Sequence, residues 1–219
     1  MKRFYTIMPE KLIELSKQYG TPCLFLSLAE VSQNFTDLTN ALPNVTFFYA
    51  VKANPHAKII EKLHSLGCQF DVSTNEEINI VKRNNVKVSD CIHTHPIKSQ
   101  EEIRYSIEQD IKIFTVDNIF ELEKLLPYKD NIEICIRLSI LNEDCRINLS
   151  EKFGCSPDGA EELILNAHSQ GFKVTTLSFH TGSQNLNPLK YVSALEQCAK
   201  IDNAVQKEGV QINCIDIGG

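Results

Sequence analysis

No apolar run in this 219-residue chain approaches the roughly 18 residues that cross a membrane. No basic cluster is present either, and the formal net charge is -6. Neither a nucleic acid nor an anionic membrane is therefore an expected partner. The eight cysteines contain no Cys-x-x-Cys pair. Reduced thiols are expected, rather than a disulfide framework or a metal site. The opening "MKRFYTIMPEKLIEL" has two basic residues but no apolar core behind them. That argues against a signal peptide and for a cytoplasmic protein. Finally, no Gly-x-Gly-x-x-Gly follows the first strand-like run, which weighs against a dinucleotide-binding sheet.

What is present is a series of short apolar runs. They are "TFFYAV" (46–51), "QFDVS" (69–73), "CIHTH" (91–95), "IFTVD" (113–117), "IEICIRL" (132–138), "TTLSFHTG" (175–182) and "INCIDIGG" (212–219). The first four begin 22 or 23 residues apart, which is room for one strand, one helix and two loops. Cys91, Cys135 and Cys214 fall within these runs, where cysteine serves as a small hydrophobe.

The segments between them read as amphipathic helices. One carries Ile59, Ile60, Leu63 and Leu66 on a face, and another carries Ile119, Leu122, Leu125 and Leu126. A third opens at Pro188 and aligns Ala194, Leu195, Cys198, Ile201 and Val205.

Alternating strands and helices imply a parallel sheet with right-handed crossovers. A doubly wound sheet and a (β/α)8 barrel both satisfy that pattern. Seven strands in one uninterrupted series favour the barrel, ending within or just after its seventh strand. An earlier piece, "YGTPCLFLSL" (19–28), reads as an additional strand before a helical stretch near "AEVSQNFTDLTNAL".

A barrel of this kind builds its active site at the C-terminal ends of its strands. Those ends carry Lys52, Asp71, His95, Asp117, Arg137, His180, Gly218 and Gly219. Each alone is explained by a strand emerging into water, but together they converge on one mouth. Lys52 is the only lysine among them, and an amine there can attack a carbonyl cofactor. Gly182 and Ser183, after His180, suit a turn whose donors face an anion, although an ordinary helix cap would use them equally well.

The motifs "FFYAVKANP", "FDVSTNEEI", "HTHPIKSQEEI", "FTVDNIFELEKL", "SEKFG", "SFHTGSQ" and "IDIGG" occur in that order. Together they resemble the N-terminal barrel of the fold-type III pyridoxal-phosphate decarboxylases, the ornithine/diaminopimelate/arginine group. The resemblance implies a pyridoxal 5'-phosphate enzyme that removes the carboxyl group of an amino acid. It makes Lys52 the lysine that binds the cofactor covalently. Asp71 and Glu77 become the acidic residues that receive Lys52 when substrate displaces it. Arg137 and His180 lie by the cofactor, His180 stacking on its ring, and Ser183, Gly218 and Gly219 hold its phosphate. Lys152 pairs across the interface of a homodimer.

The resemblance also implies parts that the 219 residues do not contain: an eighth strand, a third glycine after Gly219, and a C-terminal β-domain. Residues 1–35 are then an N-terminal segment whose strand pairs with that absent domain, and 36–219 an incomplete cofactor-binding barrel. The isolated chain is expected to be inactive and to show little visible absorbance with the cofactor. The short stretch "LNEDCRINLSEKFG" favours ornithine as substrate, hence putrescine and polyamine synthesis. A diaminopimelate decarboxylase-like enzyme of lysine biosynthesis and a non-catalytic regulatory homologue are the alternatives. A racemase on the same barrel would place a Tyr-Gly-His-Gly run after "VKAN", and "VKANPHAK" has none.

Overall fold

The structure is a computed structural model that describes residues 9–140, 152–183 and 185–218. Two helices come first, α1 (Pro9–Tyr19) and α2 (Leu28–Ala41). A regular alternation follows: β1 (Phe48–Ala50), α3 (Ala57–Ser65), β2 (Gln69–Val72), α4 (Asn75–Arg83), β3 (Cys91–His93) and α5 (Gln100–Glu108). It continues through β4 (Ile113–Val116), α6 (Ile119–Leu125), β5 (Glu133–Leu138), α7 (Pro157–Ser169), β6 (Lys173–Phe179), α8 (Pro188–Val205) and β7 (Cys214–Asp216).

The helices from α4 to α8 start where they do because a capping side chain stands just before each. Thr74, Ser99, Asn118, Ser156 and Asn187 each accept a backbone N–H of the first turn, and at Ser99 the partner Glu102 completes a capping box. Proline at the first helical position of α7 and α8 costs no hydrogen bond, since that N–H has no intrahelical acceptor.

All seven strands are parallel, and their spatial order is the sequence order, β1 through β7. A doubly wound sheet reverses its strand order at a switch point. This sheet never does, so it is the singly wound wall of a barrel. Among the described residues β1 pairs only with β2, and β7 only with β6.

Laterally paired residues share a face of the sheet, and neighbours along a strand alternate. Val72, His93, Phe114 and Ile134 form one such row, fully buried. Arg137, Ser178 and Asp216 form another near the strand ends.

Some sequence expectations need correction. Residues 22–27 form no strand, and Leu24 is fully exposed at 102%. Leu66, Leu126 and Leu195 lie on the surface instead of a buried face. Leu66 is the cap residue after α3, and Leu126 enters a 3-10 turn whose tighter winding rotates it outward. Leu195 is one residue off the buried stripe of Ala194, Cys198, Ile201 and Val205. Cys214 is exposed because β7 is an edge strand.

One ionic cluster is buried beside the sheet. The Lys98 ammonium, after β3, donates to the carbonyls of His95 (3.0 Å), Pro96 (3.0 Å) and Thr115 (2.5 Å). Glu121 lies 3.7 Å away, accepts the Lys98 backbone N–H and also pairs with Lys124. These bonds tie the β3–α5 loop to the end of β4.

Candidate active site at the C-terminal ends of the strands

The run after β1 ends in a 3-10 turn, Val51–Ala53, that stops the strand and turns Lys52 outward. Val51 is fully buried and anchors the turn, while Lys52 is exposed. Among the described residues, no hydrogen bond or salt bridge engages the Lys52 ammonium. It does act on Asp71. Burial pushes the Asp71 carboxyl up to about 6, opposed by the hydrogen bond from the Thr94 side chain and by the positive charge of Lys52. Asp71 Oδ1 accepts from the Thr94 hydroxyl at 2.7 Å and from the Thr94 N–H at 3.3 Å.

Farther along the sheet, the row of Arg137, Ser178 and Asp216 points the same way. Burial disfavours the charge on Arg137, and Asp117, Asp216 and Asp71 offset that cost. Asp216 is raised by burial and drawn back by the Gly218 N–H, Arg137 and His180. Gly218 donates to Asp216 Oδ1 at 2.9 Å. The chain here passes so close to β6 that a Cβ on Gly218 would stand 2.5 Å from the Phe179 carbonyl oxygen, at a φ of +71. Only glycine fits that approach. The His180 ring is fixed by the Gly182 N–H, which donates to its Nδ1 at 2.9 Å.

A second close approach frames the other side of the mouth. Phe153 lies under the Arg137 guanidinium, 5.1 Å from cation to ring centroid, and meets the edge of His95 at 5.8 Å. Gly154 holds this segment down, its N–H donating to Asp117 Oδ2 at 2.8 Å. The backbone of Cys155 runs beside β5, bonding Arg137 and Ser139.

The structure thus gathers Lys52, Asp71, Asp117, Arg137 and His180 into one electrostatically linked group. Glu77 is placed differently: its carboxylate accepts the Ser73 N–H at 2.6 Å at the start of α4. Ser183 is half-buried between β6 and α8, and Lys152 is exposed at the edge of the described residues. Gly219 lies outside the described residues.

Three residues that surround this group, Asp216, Thr94 and Phe153, do not stand out in the sequence. Asp216 interrupts an apolar strand just before Gly-Gly, as Asp71 interrupts "QFDV", and that parallel was the available signal. Thr94 and Phe153 carried none, since threonine after a strand and phenylalanine in a loop have many ordinary uses. His93, one residue before Thr94, faces the helices. Burial holds its ring neutral, pushed down to about 3.

The sequence matches the family model described as "Pyridoxal-dependent decarboxylase, pyridoxal binding domain" over residues 28–219. The chain belongs to this family. It is 29% identical to the lysine/ornithine decarboxylase of Selenomonas ruminantium, over all of this chain and 56% of that protein. It is 31% identical to the ornithine decarboxylase of Caenorhabditis elegans, over 90% of this chain and 47% of that one. The crystal structure of lysine/ornithine decarboxylase from Vibrio vulnificus, complexed with putrescine, superposes with a TM-score of 0.89 at 39% identity, covering 98% of this chain and 58% of that one. The chain therefore spans about half the length of the curated relatives it matches.

The cofactor of this family is pyridoxal phosphate, and the residues present fit it. Lys52 offers an amine that no hydrogen bond or salt bridge engages among the described residues. Arg137 supplies a cation in a partly dry setting, and the half-buried His180 ring is held in place by the Gly182 N–H. No helix among the described residues is long and apolar enough to cross a membrane.

Proposed function

We propose that this chain is the cofactor-binding portion of an amino-acid decarboxylase of the ornithine/lysine branch, with ornithine the favoured substrate and putrescine the product. The observation that carries the reading is the pairing of an uncommitted Lys52 with a desolvated Asp71 across the first two strand ends.

Pyridoxal phosphate, when bound, supplies the electron sink that accepts the pair left by departing carbon dioxide. The chain's own residues do the rest. Lys52 would hold the cofactor's aldehyde through Nζ. Released as an ammonium, Lys52 would have Asp71 as the carboxylate that takes its charge. Near neutral pH Asp71 is ionised but close to its midpoint of about 6, so it can also hold the proton. His180, fixed through Nδ1, offers a flat aromatic face to the cofactor ring. Arg137 compensates negative charge, and Ser183, Gly218 and Gly219 are the proposed phosphate ligands. Glu77 supports Asp71 indirectly, by fixing the start of α4 behind it.

The reading extends to a cytoplasmic homodimer in which the exposed Lys152 pairs with the partner subunit, and to closure of the barrel by sequence beyond these strands. Lysine is the second candidate substrate, because the Selenomonas and Vibrio relatives are named for both amino acids.

The test is amine release by the native protein purified with pyridoxal phosphate. Ornithine should give putrescine faster than lysine gives cadaverine at equal concentration. Turnover of diaminopimelate alone would overturn the substrate assignment, and no turnover of any amino acid would favour a regulatory homologue.

A further inference from the structure

We propose that Thr94 is a positioning residue for Asp71: its hydroxyl and backbone N–H together engage one carboxylate oxygen, Oδ1, and leave Oδ2 available to Lys52. The inference rests on the reading of Asp71 as the partner of Lys52. It adds a residue outside the set that the sequence motifs single out.

The geometry is specific. Asp71 pairs in register with Ile92, so Thr94 stands two residues farther along the chain, just past β3 and on the same face. Both of its donors converge on the same atom, at 2.7 Å and 3.3 Å. Two donors on one oxygen fix the plane of the carboxylate as well as its position. The threonine is also held rigidly in turn. Its β-branched side chain has few allowed rotamers. The loop that follows it is pinned by the Lys98 ammonium through the carbonyls of His95 and Pro96, with Thr115 securing the far end. A site residue is only as well placed as the groups behind it.

The electrostatics agree. The Thr94 hydroxyl is the largest influence holding the buried Asp71 carboxyl down, ahead of Lys52 itself. The charged groups that face Asp71 are Lys52 from the turn after β1, Arg137 from β5 and Asp216 from β7. Removing the hydroxyl leaves burial less opposed. Asp71 then holds its proton to higher pH and has less charge to offer Lys52 near neutrality.

The experiment compares Thr94→Val and Thr94→Ser with the wild-type chain. The first measurement follows the Asp71 carboxyl carbon by 13C NMR through a pH titration. The midpoint should lie near 6 in the wild type. It should move up by roughly one unit in Thr94→Val, the effect of losing one charge-assisted hydrogen bond. Thr94→Ser should restore it. The second measurement is borohydride trapping of pyridoxal phosphate on Lys52 at pH 7, expected to rise in Thr94→Val, where a protonated Asp71 no longer holds Lys52 as an ammonium, and to return to the wild-type level in Thr94→Ser. An unmoved Asp71 midpoint in Thr94→Val overturns the proposal. Wild-type trapping in an Asp71→Asn control would instead overturn the parent reading of Asp71, and with it the consequence drawn here for Lys52.

Discussion

Replacing Lys98 with methionine is expected to lower the unfolding free energy by about 3 kcal/mol, although Lys98 takes no direct part in the proposed chemistry. Its side chain is fully buried, and its ammonium donates to three backbone carbonyls beside the Glu121 carboxylate. Burial pushes that ammonium down to about 8, so the charge is costly to keep in place. Removing it is costlier still. Three carbonyls lose a buried donor, and Glu121 keeps only Lys124 and the backbone N–H as partners. Urea unfolding at pH 7 measures the difference. The wild type carries a second signature. Between pH 8 and 10 the unfolded chain holds the Lys98 proton more tightly than the folded one, so this group makes stability rise with pH in that window. The methionine variant should lack that rise.

Asp71→Asn should act in the opposite direction. The carboxyl is raised from the ordinary carboxylate range to about 6, chiefly by burial. Below about pH 3 it is neutral in both states and costs nothing. As pH rises from 4 to 6 the unfolded chain ionises first, so stability falls through that window. Above it the cost is complete. Two units at about 1.4 kcal/mol each give roughly 3 kcal/mol. The substituted amide carries no charge to desolvate, and its oxygen still accepts from Thr94. The variant should therefore be more stable by about 2–3 kcal/mol at pH 7 and equal to the wild type near pH 3. It should lose the partner of Lys52 in the same step, and with it at least tenfold in turnover of the native protein. Stability gained where function is lost marks a residue kept for chemistry. Lys98, fully buried, and Asp71, partly buried, are both desolvated charges at the same end of the sheet, and the sign of the change separates the structural one from the functional one.

The seven strands were legible because strands of a parallel sheet are covered on both faces and read as continuous apolar runs. Their even spacing then gave the alternation with helices, and the sequential order found in the structure lays them out as one barrel wall. "CLFLSL" forms no strand here, and the strand expected of it is one that pairs with sequence beyond these 219 residues. Leu24, Phe25 and Leu26 are apolar enough for a strand, but hydropathy says only that a residue favours burial, not against what. Lys52, Asp71 and His180 stood out as polar residues ending apolar runs. The groups that fix their geometry did not. Thr94 and Gly154 act through hydrogen bonds to partners 23 and 37 residues away in sequence. The Lys98–Glu121 pair was hidden because lysine and glutamate in a loop and a helix are ordinarily solvated. The role of Glu77 was implied by the family resemblance alone, and its carboxylate accepts the Ser73 N–H as a helix-start cap does.

The central claim is that Lys52 is the amine that binds pyridoxal phosphate. Borohydride reduction of the protein with the cofactor, followed by peptide mapping, tests it directly, because reduction fixes even a weakly populated adduct. Lys58 and Lys62 lie six and ten residues away and serve as internal controls. The account predicts label concentrated on Lys52 and lost in Lys52→Arg. Label spread evenly over Lys52, Lys58 and Lys62, and unchanged in total by Lys52→Arg, would contradict it.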